Sequence, residues 1–328
     1  MSASQQNNNR ILVTGAAGQL GIELTTRLRK KVGADNVIAT DIRKPEYAVG
    51  LPDGPFEFLD VLDRSALFSL AEGYRIGTIY HLSAILSARG EKQIEATWRL
   101  NINGLLNVLE LGRTEPGMRI FWPSSIAVFG PDAPAHRTPQ NTPLNPTTVY
   151  GISKVAGEHW CAYYHRRYGV DVRSLRYPGL IGWRSEPGGG TTDYAVDMLK
   201  RAASGSEFEC PVDRETPLPM MYMDDAVNAA LRLMAAEAGQ IGIRTSYNIT
   251  AMSFTPGDLE EAIQKHRRRF RVRYAPDERD SIARSWPDSV DDRAAREDWS
   301  WHPEFDLDAT VTTFFLSNSE YRFSPEKV

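Results

Sequence analysis

Short apolar runs alternate with stretches of helical period through the first half of the chain. RILVT (10–14), NVIATD (36–41), FEFLD (56–60), GTIYHLS (77–83), MRIFWPSS (118–125) and VDVRSLRYP (170–178) read as strands. Between them, QLGIELTTRLRKK (19–31) and the stretches from about 91 to 112 and about 150 to 168 carry a helical period. Strand and helix in alternation predict βαβ units and a parallel sheet. A loop studded with Pro131, Pro134, Pro139, Pro143 and Pro146 follows the fifth strand. It is longer than a simple connection, and such loops often serve function. After residue 180 the regular alternation ends. PLPMMYM (217–223), TSYNIT (245–250) and RVRYAP (271–276) read as strands, and 224–236 and 255–265 as helices.

The first strand and first helix are joined by TGAAGQLG (14–21). Gly15 suits the tight turn, Gly18 the approach of a pyrophosphate and Gly21 the packing of helix on sheet, with the helix N-terminus facing the phosphates. Asp41 closes the second strand. Its carboxylate is placed to accept the adenosine ribose hydroxyls and to repel a 2′-phosphate, so NAD is expected rather than NADP. Arg43 complicates this, because it could stack on adenine or tolerate a phosphate. Asp60, followed by Val61, stands where it could reach the adenine amino group. The expected fold class is therefore α/β, a doubly wound parallel Rossmann sheet with a smaller mixed C-terminal substrate lobe. The expected division is a disordered tail at 1–9, an NAD-binding domain at 10–180 and a mainly substrate-binding lobe at 181–328, some of whose segments return to the first domain.

Composition narrows the function classes. The 328 residues are 41% hydrophobic and 24% charged, an ordinary globular balance. A formal net charge of -4 argues against a broad nucleic-acid surface. Cys161 and Cys210 make neither a disulfide framework nor a zinc spacing, which points to a reduced compartment. No apolar run approaches the roughly 18 residues of a membrane span, and the opening MSASQQNNNR has no apolar signal core. The expectation is a cytoplasmic protein with no membrane and no nucleic-acid partner. The six histidines show no metal-ligand pattern, so no metal is expected. His81 reads as a packing and hydrogen-bonding residue.

YGISK (150–154) sets Tyr150 and Lys154 on one helical face. Ser124 and Ser125 end the fifth strand, and chemistry in open parallel sheets sits beyond the carboxyl ends of strands. A free tyrosine ionises at about pH 10, and lowering that by about three units takes roughly 4 kcal/mol. One cation near ~4 Å at intermediate dielectric supplies about that much. Lys154 is the available cation, so Tyr150 is the expected base and a serine hydroxyl the expected orienting group.

These residues together resemble the extended short-chain dehydrogenase/reductases over nearly the whole chain. That family combines the TGxxGxxG turn, an acid after the second strand, a serine and Y-x-x-x-K. The resemblance selects Ser125 over Ser124 by its spacing to the tyrosine, and implies that Asn101 supports the lysine through water. It also implies that Tyr177 and Pro178 line the nicotinamide side and that Gln19, Leu20, Ile42, Leu82, Ser83 and Ala84 line the cofactor. Within that family, HLSAILSARGE (81–91), PSSIAVFGP (123–131), PGGGTTDYA (187–195) and SWPDSVDDRAAREDWSW (285–301) are similar to the short-chain-type L-threonine 3-dehydrogenases. This implies NAD-dependent oxidation of L-threonine, with Gly190 and Thr191 or Thr192 over the substrate, Ser83 and Leu86 opposite, and Trp286 on a closing segment. Arg293 departs from the small polar residue expected there. From the residues alone, Thr191 and Thr192 could instead cap the following helix. The other readings are a nucleotide-sugar epimerase or dehydratase with the same trio, or a non-catalytic NAD-binding regulator. The resemblance further implies a homodimer through the two long helices, for which Ile102, Leu105, Leu106, Val108 and Leu109 are candidate positions.

Overall fold

A reversal of strand order beside the glycine turn organises the fold. The computed structural model describes residues 10–43, 50–184 and 188–322. The expected tail at 1–9 and Pro187 of the second glycine run lie outside them. In chain order the first unit comprises β1 (Arg10–Thr14), α1 (Gln19–Val32), β2 (Val37–Asp41), β3 (Phe56–Phe58), α2 (Arg64–Tyr74) and β4 (Ile76–His81). It continues with α3 (Ser87–Glu91), α4 (Ile94–Trp98), α5 (Gly104–Thr114), β5 (Arg119–Ser125), α6 (Val149–Tyr168) and β6 (Asp171–Tyr177). Then come β7 (Gly179–Ile181), α7 (Tyr194–Ser204), β8 (Phe208–Cys210), β9 (Leu218–Tyr222), α8 (Met223–Ala235) and β10 (Tyr247–Asn248). The chain closes with β11 (Met252–Phe254), α9 (Pro256–Gln264), β12 (Val272–Tyr274), α10 (Glu278–Arg284), α11 (Arg293–Trp299) and α12 (Leu307–Arg322).

The main sheet has seven strands in the order β10-β6-β5-β4-β1-β2-β3, every pair parallel. Order reverses between β1 and β4, whose register pairs Thr14 with His81. Such a reversal opens a crevice at the carboxyl ends of the strands. All five residues of β2 are buried, as befits a strand covered on both faces. Leu24 and Leu28 of α1 share a core with Val227 and Leu233 of α8. Leu67 of α2, Leu105 and Val108 of α5 and Cys161 of α6 form a second core. A third core, holding Val196, Leu199, Leu259 and Phe314, lies in the C-terminal part and extends to Tyr150.

Several elements differ from the sequence reading, which gave no helix at α2, α7, α10, α11 or α12. The long helix at 91–112 is divided into α4 and α5 by a π-helical turn at Arg99–Asn103. Periodicity passes through such a turn almost unchanged, while π-turns gather at functional sites. β7, β8 and β11 span three residues each, too short for an alternating pattern to register. Finally, Ile102, Leu105, Val108 and Leu109 are buried inside the molecule and Leu106 is partly buried. Packing on the sheet consumes the apolar stripe of α5, so these positions do not form an outer face.

Candidate active site

The glycine turn is pressed against the end of β4. Gly15 has φ +69, and a Cβ there would lie 2.8 Å from the Ser83 amide nitrogen. A Cβ on Gly18 would lie 3.2 Å from the Gly15 carbonyl, and one on Gly21 only 2.3 Å from it. Helix α1 begins at Gly18 with no side-chain cap and no acid in its first turn, so its first N–H groups keep their capacity for an anion. Beside them the Gln19 Nε2 is buried and has no partner among the described residues. Asp41 accepts from the Ala17 and Arg43 amides, both at 3.0 Å. The Arg43 guanidinium folds onto the same carboxylate at 3.2 Å. A cradle free of side chains, an uncapped helix start, an orphaned amide and an acid at the second strand together fit a dinucleotide.

The other cofactor positions divide. Leu20 is half-buried on the core under α1, and Leu82 and Ala84 are half-buried beyond β4. Ile42 is exposed. Asp60 uses one carboxylate oxygen on the Leu62 amide at 2.9 Å. The Val61 side chain packs on α5, 3.1 Å from where a Cβ on Gly104 would stand. The Tyr177 side chain is tied into the core. Its hydroxyl donates to the Ala226 carbonyl at 2.7 Å and its ring meets Phe121 edge-on. The side chain thus belongs to the core, and Pro178 follows it at the strand end that is in register with Ser125.

Tyr150, Ser125 and Lys154 come together where α6 meets the end of β5. Thr148 caps α6 by accepting from the Gly151 amide at 3.0 Å. A Cβ on Gly151 would stand 2.2 Å from the Ala127 carbonyl, so only glycine lets the helix sit this close to the turn after Ser125. The Ser125 hydroxyl accepts from the Ala127 amide at 3.2 Å and lies beside the Tyr150 phenol. Burial pushes the Tyr150 phenol up to about 12, and the Ser125 hydroxyl pulls the other way. Lys154 is buried, and its Nζ donates to the Pro123 carbonyl at 2.6 Å. The amine faces the Trp122 ring at 4.5 Å and the Tyr150 ring at 5.5 Å. Burial drives Lys154 down to about 7, opposed by the Cys161 and Glu158 side chains. Burial thus favours the neutral form of both groups, with the amine close to the phenol ring.

The surrounding residues position these three. Ser124 turns away and donates to Glu158 at 2.6 Å. Asn101, in the π-helical turn, accepts from the Ile85 amide at 2.9 Å. Its amide donates to the Ile85 carbonyl and to the Ser153 hydroxyl, both at 3.1 Å. It thus ties the segment after β4 to α6, next to Lys154. His81 is paired with Thr14 at 2.8 Å and is driven down to about 3 by burial and by the Lys154 charge, so it stays neutral.

The second glycine run docks on the start of α3. The Gly189 carbonyl accepts from the Arg89 amide at 3.2 Å. A Cβ on Gly188 would touch Leu86 at 3.0 Å. Ser87, which sequence reasoning passed over, accepts from the Thr191 amide at 3.1 Å and pairs with its hydroxyl at 3.0 Å. Its only signal was its place beside Leu86 in the stretch 81–91. The threonines do not cap α7. Asp193 organises the run instead, accepting from the Gly189 and Gly190 amides at 2.8 and 2.7 Å. Burial lifts its carboxyl to about 6 against those two bonds. Thr191 is buried and Thr192 half-buried. Trp286 is buried in the same apolar core as Tyr150, with Leu86 packed against it. Its segment lies on the proline loop, where Thr138 donates to the Ser289 carbonyl at 3.0 Å.

Fold and site together define a Rossmann-type dinucleotide enzyme. The pattern of the NAD dependent epimerase/dehydratase family matches residues 11–250. The chain belongs to that family, and its cofactor is NAD. An uncharacterized epimerase/dehydratase of Staphylococcus aureus (strain USA300) is 46% identical, covering 95% of this chain and 97% of that protein. The holo form of a GalE-like L-threonine dehydrogenase from Cupriavidus necator is 47% identical, with TM-score 0.90 over 94% of this chain and 99% of that one. A monomeric L-threonine 3-dehydrogenase from a metagenome is 46% identical, with TM-score 0.91 over 95% and 99%. No helix among the described residues is long and apolar enough to cross a membrane.

The grip of Arg43 on Asp41 yields a prediction. Asp41→Ala removes the carboxylate expected to accept the ribose hydroxyls and frees the Arg43 guanidinium that it holds. The ratio of kcat/KM for NADP to that for NAD is expected to rise at least about tenfold, of order 1.4 kcal/mol. An unchanged ratio in steady-state assays would mean that Asp41 does not read the ribose.

Proposed function

We propose that this enzyme oxidises L-threonine at carbon 3 to L-2-amino-3-ketobutyrate, with NAD as the acceptor. The observation that carries the reading is the glycine run 188–190, seated on Leu86–Arg89 in a chain nearly co-extensive with threonine dehydrogenase structures. Ser125 holds the substrate hydroxyl, and the Tyr150 Oη takes its proton. Lys154, anchored on the Pro123 carbonyl, holds the nicotinamide ribose and places a cation beside the phenol. Bound NAD supplies the hydride acceptor and a positive ring that favours the phenolate. Gly190, Thr191, Thr192, Ser83 and Leu86 surround the amino acid, and the core around Trp286 keeps water out. Gly15, Gly18, Gln19, Leu20, Gly21, Asp41, Ile42, Asp60, Val61, Leu82, Ser83, Ala84, Asn101 and Pro178 hold NAD, with Tyr177 contributing through the backbone alone.

The assay is direct. Protein, NAD and L-threonine are mixed and NADH absorbance is followed; NADP and a nucleotide sugar are run in parallel. NADH formed from threonine supports the reading. Turnover of the sugar with none of threonine overturns it in favour of an epimerase.

We also propose a homodimer, on different residues from those the sequence suggested. Ile94 and Trp98 of α4 and Ile152, Trp160 and Tyr163 of α6 are exposed, and the two helices pack together. An apolar face of this kind marks an association surface. At micromolar concentration the protein is expected to sediment as a dimer and Trp160→Asp as a monomer. A monomeric parent protein would remove the proposal.

A further inference from the structure

A second buried network lies behind the reacting side of α6. Glu158 stands one turn beyond Lys154 and is fully buried. Its Oε1 accepts from the Ser124 hydroxyl at 2.6 Å and from the Arg176 Nε at 2.9 Å, and its Oε2 accepts from the Arg176 Nη2 at 2.7 Å. Arg176, on β6, also donates to the Gln140 carbonyl and to the Asn248 Oδ1, both at 3.1 Å. Asn248, on β10, donates in turn to the Thr138 and Asp291 carbonyls at 3.2 and 3.3 Å. One carboxylate is thereby wired to the end of β5, to β6 and, through Asn248, to the proline loop and the segment carrying Trp286.

Stability is a weak reason for such a pair. Removing two charges from water costs as much as their attraction returns, and well-packed apolar side chains often do as well. Position is the stronger reason. Ser124 precedes Ser125, so the bond from Ser124 to Glu158 settles which way the strand end turns each hydroxyl. Lys154 is buried and its hydrogen-bond acceptor is a neutral carbonyl. The Glu158 carboxylate stands one turn further along the same helix, and its loss would leave the buried amine readier to give up its proton.

We propose that Glu158, clamped by Arg176, is a positioning residue that sets Ser125 through Ser124 and keeps the Lys154 ammonium charged. The claim about turnover rests on the reading under Proposed function; the claim about the Lys154 charge does not. The charged and titratable groups near Lys154 are Tyr150, Glu158 and Cys161 of its own helix and His81 of β4, while Arg176 of β6 is bonded to Glu158. β5 and the π-helical turn present the uncharged Trp122, Ser124, Ser125 and Asn101.

The test is Glu158→Gln in the full chain, with Glu158→Asp as the conservative comparison. The charge is read by NMR titration of carbon-13-labelled lysine, the Lys154 signal being assigned by its loss in Lys154→Arg. In Glu158→Gln the amine is expected to lose its proton about one pH unit lower or more, and the pH above which kcat/KM falls should move down with it. Glu158→Asp should restore the titration, because the charge remains. A Lys154 signal that titrates alike in parent and Glu158→Gln overturns the charge role. Should Glu158→Gln not fold, the same titration is read in Arg176→Lys, where the loosened clamp shifts the Lys154 signal if Glu158 governs it and leaves it in place if not. Ser124→Ala, which spares the ion pair, tests the positioning role: kcat for threonine is expected to fall severalfold at constant KM, and an unaltered kcat overturns it. If the parent protein does not oxidise threonine yet the lysine titration moves as stated, the function reading fails and the charge coupling stands.

Discussion

Tyr150→Phe is expected to lower kcat by about three orders of magnitude while NAD affinity stays within about twofold, since general base catalysis contributes about 10²–10⁴. The substitution removes one oxygen. The ring remains packed in its apolar core with Ile126, Trp286 and Tyr194, and Lys154 keeps its bond to the Pro123 carbonyl, so α6 has no reason to move. What disappears is the phenol oxygen beside Ser125, the proposed acceptor for the substrate proton. NAD binding by calorimetry and NADH formation in single turnover separate the two effects. A variant retaining a tenth or more of parental kcat would take Tyr150 out of the proton transfer.

The second large effect is expected at the cradle. In Gly21→Ala a Cβ would stand 2.3 Å from the Gly15 carbonyl oxygen and 2.8 Å from the Ala16 carbonyl carbon. Both neighbours are backbone of the turn itself, so relief requires the turn to move. Overpacking of this kind costs about 1–3 kcal/mol, occasionally more, and the displaced turn carries the N–H groups meant for phosphate. NAD affinity is expected to fall at least about a hundredfold, some 2.7 kcal/mol, with a lower melting temperature. Gly73→Ala in α2 is the control, because nothing lies within 4 Å of a Cβ there. Equal NAD affinity in the two variants would remove the cradle from its assigned place.

Much of this site was readable along the chain. The turn at 14–21, the acid at Asp41 and the pair Tyr150 and Lys154 are local arrangements whose geometry follows from a strand-turn-helix junction or from one helical turn. The inward or outward sense of a side chain was less readable. The Tyr177 side chain, expected at the cofactor, is held in the core, where its hydroxyl finds the Ala226 carbonyl of α8. Ile102, Leu105, Val108 and Leu109 were candidates for an outer face, yet the sheet claims them. The field of Lys154 on Tyr150 was sized from distance alone, whereas burial, which a sequence does not display, pushes the phenol up and the amine down.

Sequence by itself determined the alternating architecture, the dinucleotide turn, the preference for NAD and the phenol–amine pair, because each rests on residues within a few positions of one another. Tertiary structure alone decided that Ser87 meets Thr191 across 104 positions, that Tyr247–Asn248 returns to the main sheet beside β6, and that Glu158 joins Ser124 to Arg176. Periodicity records which face of an element is apolar. Which distant face it meets, and how far water is excluded there, is settled only when the layers pack and every buried polar group must find its partner.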